Sequence, residues 1–143
     1  MLNGFRRQKS GLARLKVLVV DDSAKARAVI TTVLIAAGHA CIEAADGDEA
    51  LGCVLDGGID LIVTDLEMPG ANGFQLISAV NLLPAARRPP IVVVSACLQD
   101  EDYRQRAELR TATRLLAKPV SPAVLLTTID DIVWNDNRCV SAR

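Results

Sequence analysis

The chain has 143 residues, with 16 Lys and Arg against 17 Asp and Glu, a net charge of −1 and a hydrophobic content of 50% of which little is aromatic. That length implies one domain with a core of Val, Leu, Ile and Ala, and the near-neutral balance excludes a chain-wide polyanion-binding surface, so no direct nucleic-acid contact is expected. No apolar run reaches the roughly 18 residues that span a bilayer, and Arg6, Arg7 and Lys9 precede no apolar segment of the secretory type.

The cysteines, Cys41, Cys53, Cys97 and Cys139, show no CxxC spacing and no histidine partners, which argues against zinc. They read as buried or incidental thiols in a reducing, cytoplasmic setting. Residues 1–15 read as a flexible basic leader, residues 16–134 as the folded domain, and residues 135–143 as a flexible tail.

Val17 to Val20 is the first apolar run and ends at Asp21-Asp22. Ser23 can cap a helix in which Val29, Ile30, Val33, Leu34 and Ala37 recur at helical spacing until Gly38 stops it. His39 then reads as a solvent-facing turn residue. Ala40 to Ala44 reads as a second strand, and Asp46 with Glu49 resembles a capping box for a helix that buries Ala50, Leu51, Val54 and Leu55. Leu61 to Thr64 is a third strand running into Asp65. Asn72 and Gln75 repeat the cap pattern ahead of Phe74, Leu76, Ile77, Val80 and Leu83. Ile91 to Val94 is a fourth strand ending at Ser95, Gln99 to Leu109 a charged and weakly anchored fourth helix, and Arg114 to Ala117 a last strand ending at Lys118-Pro119. Ser121 and Pro122 open a final helix with Leu125, Ile129, Ile132 and Val133 on its core face.

Strands alternating with helices imply βαβ units, and strands apolar on both faces imply a parallel sheet covered on both sides. The expected fold is therefore α/β: a doubly wound, five-stranded parallel sheet of order 2-1-3-4-5 with five helices, flavodoxin-like. Parallel strands share one carboxyl edge, and in that order the edge collects Asp21, Asp22, Asp65, Ser95 and Lys118. Carboxylates crowded to about 5 Å repel by about 3 kcal/mol at an effective dielectric near 20. A divalent cation removes that cost, and an all-oxygen set open to water suits Mg²⁺, or Mn²⁺ in its place. Asp65 can act as a nucleophile toward phosphorus, with Lys118 neutralising a phosphoryl oxygen and Ser95 donating to another.

The ordered pieces Val17-Leu18-Val19-Val20-Asp21-Asp22-Ser23, Ala45-Asp46-Gly47-Asp48-Glu49-Ala50-Leu51, Asp65-Leu66-Glu67-Met68-Pro69-Gly70, Asn72-Gly73, Val94-Ser95-Ala96 and Lys118-Pro119 strongly resemble the receiver domains of bacterial two-component response regulators, of the single-domain, chemotaxis-regulator kind. The resemblance implies that Asp65 is a phosphoacceptor. It implies that Asp22 binds Mg²⁺ directly, Asp21 largely through water, and Glu67 through its backbone carbonyl. Ser95 resembles the mobile hydroxyl of such sites and Lys118 their lysine, with a cis bond before Pro119. A histidine kinase or histidine phosphotransfer protein would supply the phosphoryl group. A downstream protein would read the face made by the fourth helix, last strand and fifth helix. Such a chain is a phosphoacceptor that assists its own phosphorylation and dephosphorylation, not a turnover enzyme. With no DNA-binding or cyclase domain read after residue 134, output is expected to fall to a partner protein unless the chain is a fragment of a longer regulator.

Two departures stand out. Leu115 takes the place of the usual aromatic three residues before the lysine, and Tyr103 does not align with it. Thr111-Ala112-Thr113 replaces the usual Gly-Ala before the last strand. A pseudo-receiver scaffold working without phosphorylation is the first alternative, favoured by Leu115. A phosphatase of the haloacid dehalogenase type is the second, on the strength of Asp65-Leu66-Glu67, although Asp is usual at the last position. The Glu67 side chain is expected to face solvent, and Cys97 to be a small filler near the mouth of the site.

Overall fold

The protein is described here by a computed structural model covering residues 14–141. The expected leader over 1–15 lies outside the described residues except for Arg14 and Leu15. Five strands, β1 (Lys16–Val20), β2 (Ala40–Ala44), β3 (Leu61–Thr64), β4 (Ile91–Ser95) and β5 (Arg114–Ala117), form one parallel sheet in the order β2-β1-β3-β4-β5. The three central strands are buried on both faces except at Lys16, and are aliphatic but for Lys16, Thr64 and Ser95, as a sheet covered on two sides requires.

Alternation along the strands divides the core in two. Leu18, Val20, Ile62, Ile91 and Val93 face one side, with Ala50 and Val54 of α2 (Gly47–Asp56) and Phe74, Leu76, Ile77 and Val80 of α3 (Gly73–Asn81). Val17, Val19, Leu61, Val63, Val92 and Val94 face the other. They meet Ile30 and Leu34 of α1 (Ala24–Ala36) and Leu125, Ile129, Ile132 and Val133 of the last helix, Pro122–Ser141. Burying one such side chain contributes about 1.5–3 kcal/mol.

The caps follow the sequence. Ser23 accepts from the Ala26 N–H, Asn72 and Gln75 form a full capping box, and Ser121 accepts from the Val124 N–H. Asp46 accepts from the Glu49 N–H, but the Glu49 carboxylate reaches back to the N–H of Ala45, one residue outside the cap. At the end of α1, Gly38 takes a φ of +98°, a conformation that costs glycine nothing.

Several expectations need correction. Val29, Ala37 and Leu55 are exposed, because the sheet covers a narrower stripe of α1 and α2 than the apolar pattern suggests. Leu83 lies beyond the end of α3, half-buried against the core. His39 is buried: its Nδ1 accepts from the Leu15 N–H at 3.1 Å, fastening the entry to β1 to the end of α1. The expected fourth helix over Gln99–Leu109 is broken. A 3₁₀ turn (Ala96–Gln99), a one-turn helix α4 (Glu101–Arg104) and a second 3₁₀ turn (Ala107–Thr111) replace it. The physical cause is a shortage of apolar positions: Leu98 and Leu109 anchor its ends, while Tyr103 stacks on Phe74 and Arg106 lies 3.9 Å from the Phe74 ring centroid. The last helix, α5, runs to Ser141, past residue 134 where the sequence reading stops it.

Candidate functional site

The sheet order reverses at β1, whose neighbours lead to β2 on one side and β3 on the other, and open α/β sheets form their crevice at such a point. Val20 pairs with Thr64, and the Asp65 N–H donates to the Val20 carbonyl, so Asp21 and Asp65 leave the sheet side by side. One carboxylate oxygen from each of Asp21, Asp22 and Asp65 lies within 4.8 Å of the other two. Asp21 and Asp65 are buried, whereas Asp22 is exposed and open to water.

Lys118 enters from the far side. Ser95 pairs with Ala117, and the Lys118 N–H donates to the Ser95 carbonyl, which sets the lysine at the same edge. Its Nζ lies 2.8 Å from Asp21 Oδ2 and 2.9 Å from Asp65 Oδ2. Burial alone would pull the ammonium pKa down. Hydrogen bonds to Asp21 and Asp65, with their charges, outweigh it and hold the pKa above the ordinary lysine value. The bond before Pro119 is cis, as expected.

The backbone fixes the rest. Asp65 Oδ1 accepts from the Leu66 N–H at 2.6 Å and, at longer range, from the Glu67 N–H. Asp21 Oδ1 accepts from the Ser23 N–H. The Glu67 side chain is exposed, as expected. Ser95 is wholly buried at the end of β4, and its hydroxyl meets the Cys97 thiol at 3.2 Å, not a carboxylate. Burial and the charges of Glu67 and Asp65 push that thiol up, against the Ser95 hydrogen bond, so it stays protonated near neutral pH. Cys41, Cys53 and Cys97 are free and half-buried.

Two positioning groups, Arg27 and Thr64, escaped the sequence reading, and a third, Gly73, stands there only as part of Asn72-Gly73. Arg27 donates to the Asp21 carbonyl at 2.5 Å and pairs with Glu43; its signal was its place four residues after the Ser23 cap. Thr64 Oγ1 donates to the Asp65 carbonyl. Gly73 packs so closely on that carbonyl that a Cβ would stand 2.2 Å from the oxygen. The residues present fit a small hard cation: the donors are carboxylate oxygens, one of them open to water.

A family model, response regulator receiver domain, matches residues 17–130. The chain belongs to the receiver domains. This receiver is 37% identical over 123 residues to the gliding motility regulatory protein of Myxococcus xanthus, an alignment that covers 86% of the chain but 16% of that protein. Its structure is similar to the chemotaxis protein CheY4 of Vibrio cholerae, with a TM-score of 0.73 and 33% identity over 83% of this chain and 98% of that one. It is also similar to the response regulator TrrA of Thermotoga maritima, solved in complex with Mg²⁺ and BeF, with a TM-score of 0.73 and 25% identity over 82% of this chain and 97% of that one. The flavodoxin-like fold is that of these receivers. The family match takes in Asp21, Asp22, Asp65 and Lys118 together, and leaves a haloacid-dehalogenase-type phosphatase without support. Among the described residues no helix is long and apolar enough to cross a membrane.

Proposed function

We propose that this receiver accepts a phosphoryl group on Asp65 from a phosphohistidine and thereby switches a protein–protein interaction. The observation that carries this reading is the placement of Asp65 against Asp21, Asp22 and the Lys118 ammonium. Asp21, Asp22, Asp65 and the backbone carbonyl of Glu67 would hold Mg²⁺ or Mn²⁺. Such a cation, when bound, offsets the carboxylate charge and gives a phosphoryl oxygen a place beside Asp65.

A carboxylate oxygen of Asp65 attacks phosphorus, the phosphorus–nitrogen bond of the phosphohistidine breaks, and the imidazole leaves, so an acyl phosphate forms without any further reactant. Backbone N–H groups at Leu66 and Glu67 hold the Asp65 carboxylate in one orientation. Lys118 already touches both buried carboxylates and can follow a phosphoryl oxygen as a point charge. Ser95 would turn from Cys97 to donate to another. The donor would be a histidine kinase or histidine phosphotransfer protein. The responding surface would be the α4 segment, β5 and α5, acting on a downstream protein by a population shift. The setting would be cytoplasmic, and the protein a phosphoacceptor, not a turnover enzyme.

The test is incubation with acetyl phosphate and Mg²⁺, followed by intact mass. One phosphoryl group per chain, absent without Mg²⁺ and absent in Asp65→Asn, is the expected result. No modification of the wild-type chain would favour a pseudo-receiver scaffold, and continuous release of phosphate from many esters would favour a phosphatase.

A further inference from the structure

The Ser95 hydroxyl is fully buried, and its hydrogen-bond partner among the described residues is the Cys97 thiol at 3.2 Å. A buried hydroxyl without any partner is costly, so the contact matters even though sulfur bonds weakly. The thiol is not free to follow the hydroxyl. Cys97 lies in the 3₁₀ turn Ala96–Gln99, and its carbonyl accepts from the Asp100 N–H. Leu98, next in line, is buried and receives the Arg104 guanidinium on its carbonyl. Gln99 donates its side-chain amide to the carbonyl of Lys118 at 2.5 Å. The Cys97 side chain itself packs on the core that contains Leu98 and Leu109. The turn is thus seated at three consecutive positions, while Ser95 Oγ needs only a rotation about χ1 to reorient.

We propose that Cys97 is a positioning residue: its thiol holds the Ser95 hydroxyl in the resting orientation, and this contact breaks when the hydroxyl engages a phosphoryl group on Asp65. The inference rests on the reading of Asp65 as phosphoacceptor. The strength of one weak hydrogen bond then sets part of the balance between resting and switched states. Removing the partner favours the switched state, and a stronger partner opposes it. A hydroxyl bonds a hydroxyl more strongly than a thiol does, so Ala and Ser at this position should act in opposite directions.

The experiment measures Mg²⁺-dependent beryllofluoride affinity of the full chain in Cys97→Ala, Cys97→Ser, Ser95→Ala and the double variant Ser95→Ala/Cys97→Ala. The alanine variant at 97 is expected to bind roughly 2- to 5-fold more tightly and the serine variant more weakly by a similar factor, the scale of one weak neutral hydrogen bond. In the Ser95→Ala background the change at 97 should have no effect, since the bond it removes is already gone. A Cys97 effect that persists in that background would assign the residue a merely structural role and overturn the latch. Equal affinities for wild type and both single variants at 97 would overturn it as well. Failure of the wild-type chain to bind beryllofluoride would instead strike at Asp65 as phosphoacceptor, and the latch would fall with it.

Discussion

Gly73 presses against the carbonyl of Asp65, and a side-chain carbon built on it would stand 2.2 Å from the oxygen. The neighbour is backbone, which cannot swing aside as a flexible side chain would. The first turn of α3 therefore seats the Asp65 peptide from behind. Gly73→Ala is expected to cost about 1–3 kcal/mol in urea unfolding and to slow modification by acetyl phosphate about tenfold or more. Gly52→Ala provides the contrast. Gly52 sits within α2 with nothing within 4 Å of the added carbon, so that variant should gain about 0.5–1 kcal/mol and keep its acceptor rate.

Lys118 holds two buried carboxylates together, and a cation held by those carboxylates would do part of the same work. Lys118→Ala should lose about 1–3 kcal/mol, less than a fully buried pair because the lysine is partly exposed. Saturating Mg²⁺ should then raise the melting temperature of the variant by more than it raises that of the wild type. The Lys118 pKa is held above its ordinary value, so its stabilisation is fully present below the unfolded lysine pKa and is lost only as pH rises through the higher folded one. Melts at neutral pH thus compare intact ion pairs. Equal Mg²⁺ shifts in the two proteins would separate the lysine from the cation site.

Asp22 is the exposed member of the acidic trio and makes no salt bridge among the described residues. Asp22→Asn relieves the repulsion within that trio and should accordingly raise stability in metal-free buffer, by less than the roughly 3 kcal/mol of one such pair because Asp22 is exposed and screened. Mg²⁺ affinity measured by calorimetry should fall about tenfold or more, at least the effect of losing an outer-shell partner. Unchanged affinity would remove Asp22 from the ligand set.

His39 gives the fold a mild acid sensitivity. Burial lowers its pKa, with Asp130 opposing and Arg14 adding to the shift, and its Nδ1 must be unprotonated to accept from the Leu15 N–H. A depressed folded pKa means that the unfolded chain takes up the proton first. Stability is therefore complete above about pH 6.5, the ordinary histidine value, and falls as pH drops through the lower folded pKa. Burial raises the Asp130 pKa, which works in the opposite sense but nearer the carboxylate range. Denaturation midpoints measured between neutral and mildly acidic pH should slope downward in the wild type and less so in His39→Gln. Equal slopes would exclude His39 as the source.

The sheet and most of its site were legible because the signals were local and redundant. Each strand is a run of β-branched or aliphatic residues closed by a polar one, and parallel pairing carries those closing residues to one edge. Asp21, Asp65 and Lys118 meet there for that reason. His39 was misread because a polar residue after Gly38 looks like a turn, and nothing nearby announces a donor from Leu15, 24 residues away. The Ser95–Cys97 contact was hidden differently: residues two apart meet only if the chain leaves its strand in a tight turn, which spacing alone does not specify. The fourth helix is present but shortened to one turn for want of apolar positions, and its contacts to Phe74 come from another element altogether.

Beyond the Ala96–Gln99 turn, which its contacts hold in place, the rest of that broken stretch between β4 and β5 gives the molecule an uneven resistance to opening. A single helical turn between two 3₁₀ turns has few internal backbone bonds to lose, so it should exchange its amide hydrogens at a small fraction of the free energy that separates the strands. A disturbance at the carboxyl edge can therefore be expressed through the least costly rearrangement available, leaving the aliphatic layers on both sides of the sheet untouched.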